Sequence, residues 1–315
     1  MNRRQWLRGL GVAALGYGLQ RVPFLSSART ATVDPRGVAR GKKVLMFTKS
    51  SGYEHSVVKR SGGKLSLAEQ VVVALGSRHG FDVNATKDGR VFLSPELVRY
   101  DAFLFYTTGD LTTIGQDGNP PMSLQGKQRL LSLVRAGKGF VGTHSAADTF
   151  DTVGNRFDPE LEHDLDPYLR MLGAEFLMHD QQQKARLAVA DKKFPGMAAL
   201  DNGVEILEEW YPFRDFQPDL HVLAILETQG MAGPHYERPP FPNTWARIEG
   251  RGRVFYTALG HRPDVWISTM YQTLLAGGIC WALRDVDADV TPNILQVAPR
   301  ANDIPRSAFG SSMGN

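Results

Sequence analysis

The strongest constraint on the fold is an alternation that runs through the first half of the chain. Segments that read as strands fall at 43–48, 81–85, 102–106 and 139–142, the first of them a short apolar run bounded by turn residues. Between them lie stretches that read as helices, at 62–78 (ending at Gly80), from Ser94-Pro95-Glu96, and at 123–136. Ser94 stands as an N-cap with Pro95 in the first helical position, and a serine again opens the helix at 123. Apolar runs of four to six residues suit strands buried on both faces, and strands alternating with helices imply parallel βαβ units. The expected fold is therefore α/β: a doubly wound, mostly parallel, flavodoxin-like sheet in one domain.

Further along, 185–190 and 220–227 read as strands, 245–249 and 253–258 as an added hairpin turning at Gly250-Arg251-Gly252, and 270–283 as a closing helix. From about Asp285 the pattern becomes irregular, and the last dozen residues read as a mobile tail.

The first thirty residues read as an address. Arg3 and Arg4 are followed by Trp6, Leu7 and a weakly apolar stretch at 10–19 broken by Gly11, Gly16 and Gly18; Ser26-Ser27-Ala28 offers a cleavage point. This is similar to a twin-arginine export signal. The stretch falls short of the roughly 20 apolar residues that span a bilayer. Residues 1–31 are thus expected to be a leader and 32–42 a linker. Residues 43–285 form the domain and 286–315 the tail. The expected location is the periplasm or beyond, with no lasting membrane insertion; retention of the leader as an anchor stays open.

Composition excludes several classes. The lone cysteine, Cys280, forms no internal disulfide. Basic residues do not line up with aromatics as a nucleic-acid groove requires, so no nucleic-acid partner is expected. Gly137-Lys138-Gly139 precedes a strand instead of opening a helix, so no nucleotide cofactor is expected either. HExxH does not occur, and the strand-end turn Gly142-Thr143-His144-Ser145-Ala146 is not a GxSxG nucleophile turn.

In doubly wound sheets, ligands gather at the carboxyl ends of strands. His55 follows the first strand, His144 the fourth, and His261 the strand at 253–258. Imidazole serves both proton transfer near neutral pH and metal binding. His179 and Glu209 lie in loops. Trp210, Tyr211 and Trp266 read either as core or as a wall on which a pyranose stacks.

Five segments resemble the ThuA-like (trehalose utilisation) family, whose fold is related to class I glutamine amidotransferase domains. They are Gly52-Tyr53-Glu54-His55, the stretch from Gly139 through Thr143-His144-Ser145 to Asp148, and Leu172-Gly173-Ala174-Glu175-Phe176 with His179. Glu209-Trp210-Tyr211 and the run from Gly252 to His261 with Trp266 complete the series. Met178-His179-Asp180 departs from the family's more usual Gly-His-Pro. His144 near the turn where amidotransferases carry a cysteine argues against amidotransferase chemistry.

The resemblance implies work on sugars, beside dehydrogenases that make 3-keto sugars. His55, His144, Glu209 and His261 are the expected catalytic groups, and Tyr53, Asp148, Trp210, Tyr211 and Trp266 the substrate contacts. His144, His179 and His261 are the expected ligands of a divalent metal, zinc first. The expected partner is a small carbohydrate, with homo-oligomerisation left open. The leading expectation is acid–base chemistry on a keto-sugar or oxidised glycoside. A non-catalytic carbohydrate-binding protein and a metal-dependent hydrolase of another substrate are the alternatives.

Overall fold

The computed structural model describes residues 41–154, 156–158 and 164–309. The expected leader, nearly all of the linker and His163 lie outside the described residues. Among the described residues, no helix is long and apolar enough to cross a membrane.

The expected strands of the first half are present. They are β1 (Lys42–Phe47), β2 (Phe81–Thr86), β3 (Ala102–Phe105) and β4 (Gly139–Thr143), separated by α1 (Leu67–His79) and α2 (Leu124–Arg135). Helix α1 starts later than expected. Ser66 accepts from the Glu69 backbone N–H while the Glu69 carboxylate accepts from Ser66 N–H, a reciprocal cap that fixes the first turn. The proline at 95 opens only a 3₁₀ segment, Pro95–Arg99.

The second half adds α3 (Pro167–Leu172), β5 (Glu175–Phe176), β6 (Gln183–Val189), β7 (Gly203–Glu208), β8 (Phe213–Arg214), β9 (His221–Leu226), β10 (Phe241–Glu249) and β11 (Gly252–Thr257). It closes with α4 (Pro263–Ile267), α5 (Thr269–Ala282) and α6 (Ile294–Val297).

Nine strands form one sheet in the order β2-β1-β3-β4-β11-β10-β9-β6-β7, while β5 and β8 pair separately. From β2 to β11 every pairing is parallel; from β11 to β7 every pairing is antiparallel. Only β10 and β6 therefore oppose the common direction. The hairpin expected as an addition is central instead: its second strand, β11, pairs with β4, and its first, β10, begins the antiparallel half. Strand β7 was not foreseen.

Successive side chains of a strand face opposite sides of the sheet. On β11, Phe255 lies against α5, where a Cβ on Gly278 would come within 2.5 Å of its ring. The absence of that Cβ lets α5 lie close on the sheet. Tyr256 points the other way, 4.4 Å from the Trp245 ring. Helices α1, α4 and α5 pack together, as do α2 and α3.

The segment after Asp285, expected to be irregular and to end in a mobile tail, is tied down as far as Phe309. Asn293 exchanges two hydrogen bonds with the backbone of Val222, Asn302 does the same with Phe216, and Ala308 is buried.

Candidate active site

Four elements end around one carboxylate. His55 lies in the loop after β1, His144 at the end of β4, His261 after β11, and Glu209 directly after β7. Glu209 Oε2 lies 3.0 Å from His261 Nδ1, 3.2 Å from His144 Nε2 and 4.0 Å from His55 Nε2. His261 Nδ1 and His144 Nε2 are 3.3 Å apart. The other carboxylate oxygen, Oε1, lies 3.6 Å from His179 Nε2. The histidines expected at three separate strand ends thus converge, and Glu209 bridges them to His179.

His144, His261 and Glu209 are held from behind. His144 adopts a left-handed backbone conformation, φ 45°, uncommon for a non-glycine residue. Its Nδ1 lies 2.9 Å from the Ala258 carbonyl, which can only accept, so Nδ1 carries the proton and Nε2 presents a lone pair to Glu209. The turn bearing His261 is clamped through the Gly260 carbonyl, which accepts from Trp266 Nε1 at 2.6 Å and from Tyr106 Oη at 3.0 Å. Gly260 itself has φ +121°, and a Cβ there would sit 2.8 Å from Tyr271 Oη. Glu208, wholly buried, accepts from the Glu209 backbone N–H at 2.9 Å and from Gly260 N–H at 3.3 Å. It ties the end of β7 to the end of β11.

Burial sets the protonation states. It drives His144 down to about 3 and also lowers His55, against the opposing pull of Glu209. Burial alone would raise the Glu209 carboxyl. The imidazoles of His144, His261 and His55 gathered around it outweigh burial and hold the group well below the usual carboxylate range. Burial pushes Glu208 up to about 7 and Asp148 to about 6, the latter against Arg156, whose Nη1 lies 2.8 Å from Asp148 Oδ1.

His55, His144, Glu209 and His261 form a buried cluster that could hold a metal ion. Two observations fit such an ion. Metal–ligand bonds of about 2.0–2.1 Å in a tetrahedron separate neighbouring ligand atoms by about 3.3 Å; the His261, His144 and Glu209 atoms are separated by 3.0, 3.2 and 3.3 Å. The buried Nδ1 of His55 has no hydrogen-bond partner. His179, expected as a ligand, stands outside the four, and His55 takes its place.

The expected substrate contacts divide. Tyr53 is 64% exposed and sets its ring at a right angle to His55. Asp148 stays accessible beside Arg156. Trp210 and Trp266 are wholly buried and offer no face to a ligand; their indole N–H groups bond the carbonyls of Gln183 and Gly260. Tyr211 is nearly buried, packed between His144, at 4.2 Å, and Phe176, at 4.0 Å. An open cleft above Glu209 is lined by His179, Asp180, Gln181 and Gln182. Gln182 and the Ala258 carbonyl carry no mark in the sequence, because each matters only through the partner that folding brings to it.

The profile of the ThuA family, described as trehalose utilisation, matches residues 43–282. No curated protein matches the chain. Among solved structures, a protein described as ThuA-like from Bacteroides uniformis superposes with a TM-score of 0.57 at 19% identity, covering 84% of this chain and 99% of its own. Another so described, from Parabacteroides merdae, gives 0.51 at 20% identity, covering 80% of this chain and 94% of its own. At such identities the superpositions speak for the fold: an α/β domain with a mixed, mostly parallel sheet. The profile match spans most of the sequence, and the chain belongs to the ThuA family.

Proposed function

We propose that this protein is an enzyme of sugar metabolism that moves a proton beside the carbonyl of a keto-sugar or oxidised glycoside, assisted by a divalent metal ion, zinc first. The observation that carries the reading is the near-equilateral spacing of His144 Nε2, His261 Nδ1 and Glu209 Oε2, with His55 close behind. Family membership supports sugar as the substrate class.

His144, His261 and Glu209 would hold the ion, with His55 completing the set. When bound, it supplies Lewis acidity toward a substrate oxygen. The chain's own groups do the rest. His179 Nδ1 lies 3.0 Å from the Asp180 carbonyl, so Nδ1 carries the proton and Nε2 accepts. Being partly exposed at the cleft, His179 is the base that takes the proton next to the ketone. Glu209 Oε1, held ionised, steadies the imidazolium that results. Tyr53 offers a flat ring to the apolar face of the sugar.

The test follows 3-keto-glycosides by NMR in D2O with metal-loaded protein. Exchange of the C2 proton, followed by isomerisation or loss of the C1 substituent, is the expected result. Unchanged substrate sinks the catalytic reading, and tight calorimetric binding of an unmodified disaccharide without turnover replaces it with a carbohydrate-binding role. The paired arginines support export by the twin-arginine route; a reporter fused behind residues 1–40 that fails to leave the cytoplasm rejects it.

A further inference from the structure

Five side chains form a hydrogen-bonded line from the surface to the buried carboxylate. Asp264 accepts from Arg262, whose Nε lies 2.9 Å from Oδ1 and Nη2 3.1 Å from Oδ2. Arg262 Nη1 lies 2.9 Å from Gln182 Oε1. Gln182 Nε2 lies 2.9 Å from His261 Nε2, and His261 Nδ1 3.0 Å from Glu209 Oε2.

Both ends of this line have only one polarity. A guanidinium donates and never accepts, so the Gln182 oxygen must face Arg262 and the amide NH2 must face His261. His261 Nε2 then accepts. In the neutral ring the proton therefore sits on Nδ1, where Glu209 Oε2 and His144 Nε2, both acceptors, share it.

We infer that Gln182, locked by Arg262, is a positioning residue that sets the tautomer of His261, and that metal entry requires this setting to change. A nitrogen that carries a proton has no lone pair for a metal. For His261 Nδ1 to become a ligand, its proton must move to Nε2 or leave. A proton on Nε2 would meet the Gln182 NH2, so the amide must turn over; turning it sets that NH2 against Arg262. The arrangement thus opposes metal binding by the cost of two facing donors. It exposes that cost at the cleft, where Gln182 is accessible to substrate.

The consequence for metal rests on the function proposed above; the tautomer does not. The closing experiment separates them. Long-range 15N–1H correlation spectra of the metal-free full-length protein, with His261→Gln to identify the signals, report which ring nitrogen carries the proton. The wild type is expected to show Nδ1–H. Gln182→Glu, whose carboxylate accepts from both Arg262 and His261, is expected to show Nε2–H. Arg262→Met, which leaves the amide free to turn, is expected to show both forms. Zinc titration by calorimetry is then expected to give about tenfold or tighter binding for Gln182→Glu, the scale on which groups behind metal ligands act. A wild-type spectrum with Nε2–H, or a Gln182→Glu spectrum like the wild type, overturns the inference. Correct tautomers in protein that binds no zinc uphold the positioning role of Gln182 and overturn the consequence for metal entry.

Discussion

The two halves of the sheet contribute differently to the site. The parallel half, β2 to β11, supplies the three histidines that cluster, each from the end or the following turn of a strand. The antiparallel half, β10 to β7, supplies the carboxylate that gathers them, and the chain beside it supplies His179 and Gln182. Parallel strands place chemistry at their carboxyl ends by rule. The antiparallel extension obeys no such rule, yet without Glu209 the clustered histidines would have no anion among them. One half sets out the ligands; the other supplies the charge.

Removing that charge is the most direct way to break the comparison. Glu209→Gln keeps the shape and is expected to lower zinc affinity by more than about 100-fold and turnover by about a thousandfold, read by calorimetry and by keto-sugar conversion. A loss confined to turnover would mean the histidines suffice for metal and the carboxylate serves only the proton.

Next in size is the seam. Gly260→Ala adds a Cβ at φ +121° and 2.8 Å from Tyr271 Oη. It is expected to cost about 2–4 kcal/mol in urea unfolding and to detach His261 from its clamp.

A third test uses acid on metal-free protein. His144 has a folded value near 3 against 6.5 for the free side chain, so the unfolded chain binds the extra proton and stability falls as pH drops across that span. Glu208, raised from 4.5 to about 7, and Asp148, raised from 3.8 to about 6, act oppositely: the folded form binds the proton first and stability rises on acidification. His55, also lowered by burial, adds to the loss, so two histidines oppose two carboxyl groups: stability is expected to stay nearly level from pH 6.5 to 4.5 and to fall below that, where Glu209 joins the histidines. In Glu208→Gln the fall is expected to start already near pH 6.5, measured by thermal melts across pH.

The smallest effect tests the cleft alone. Tyr53→Ala is expected to leave stability within about 0.5 kcal/mol of wild type, because the ring is exposed. It is expected to weaken sugar binding about tenfold, the worth of one stacked ring.

How much was legible in the sequence follows the same division. Strands β1, β3 and β4 announce themselves as largely apolar runs because they lie inside the sheet, whereas β2, Phe-Asp-Val-Asn-Ala-Thr, is an edge strand in which apolar and polar residues alternate. His55, His144 and His261 could be placed by the strand-end rule alone. Strand β7, Gly-Val-Glu-Ile-Leu-Glu, is an edge strand with an exposed face and no such run. Its terminal Glu208, one of two adjacent glutamates, is wholly buried. The two tryptophans beside the site were legible as large apolar groups. Whether they faced sugar or core depended on packing partners distant in sequence. The start of α1 is carried by Ser66-Leu67-Ala68-Glu69, a serine three residues ahead of a glutamate.

The position of β11 has a consequence for how the molecule is made. It is the last strand among the described residues, yet it lies between β4 and β10. A growing chain emerging from the ribosome can therefore assemble β1 to β4 early, but the flank of β4 stays bare until residue 257 has been synthesised. That bare edge is a template for pairing with other chains. Nascent or truncated forms ending before β11 would stick to one another through it, and insertion of this one strand both seals the edge and delivers His261.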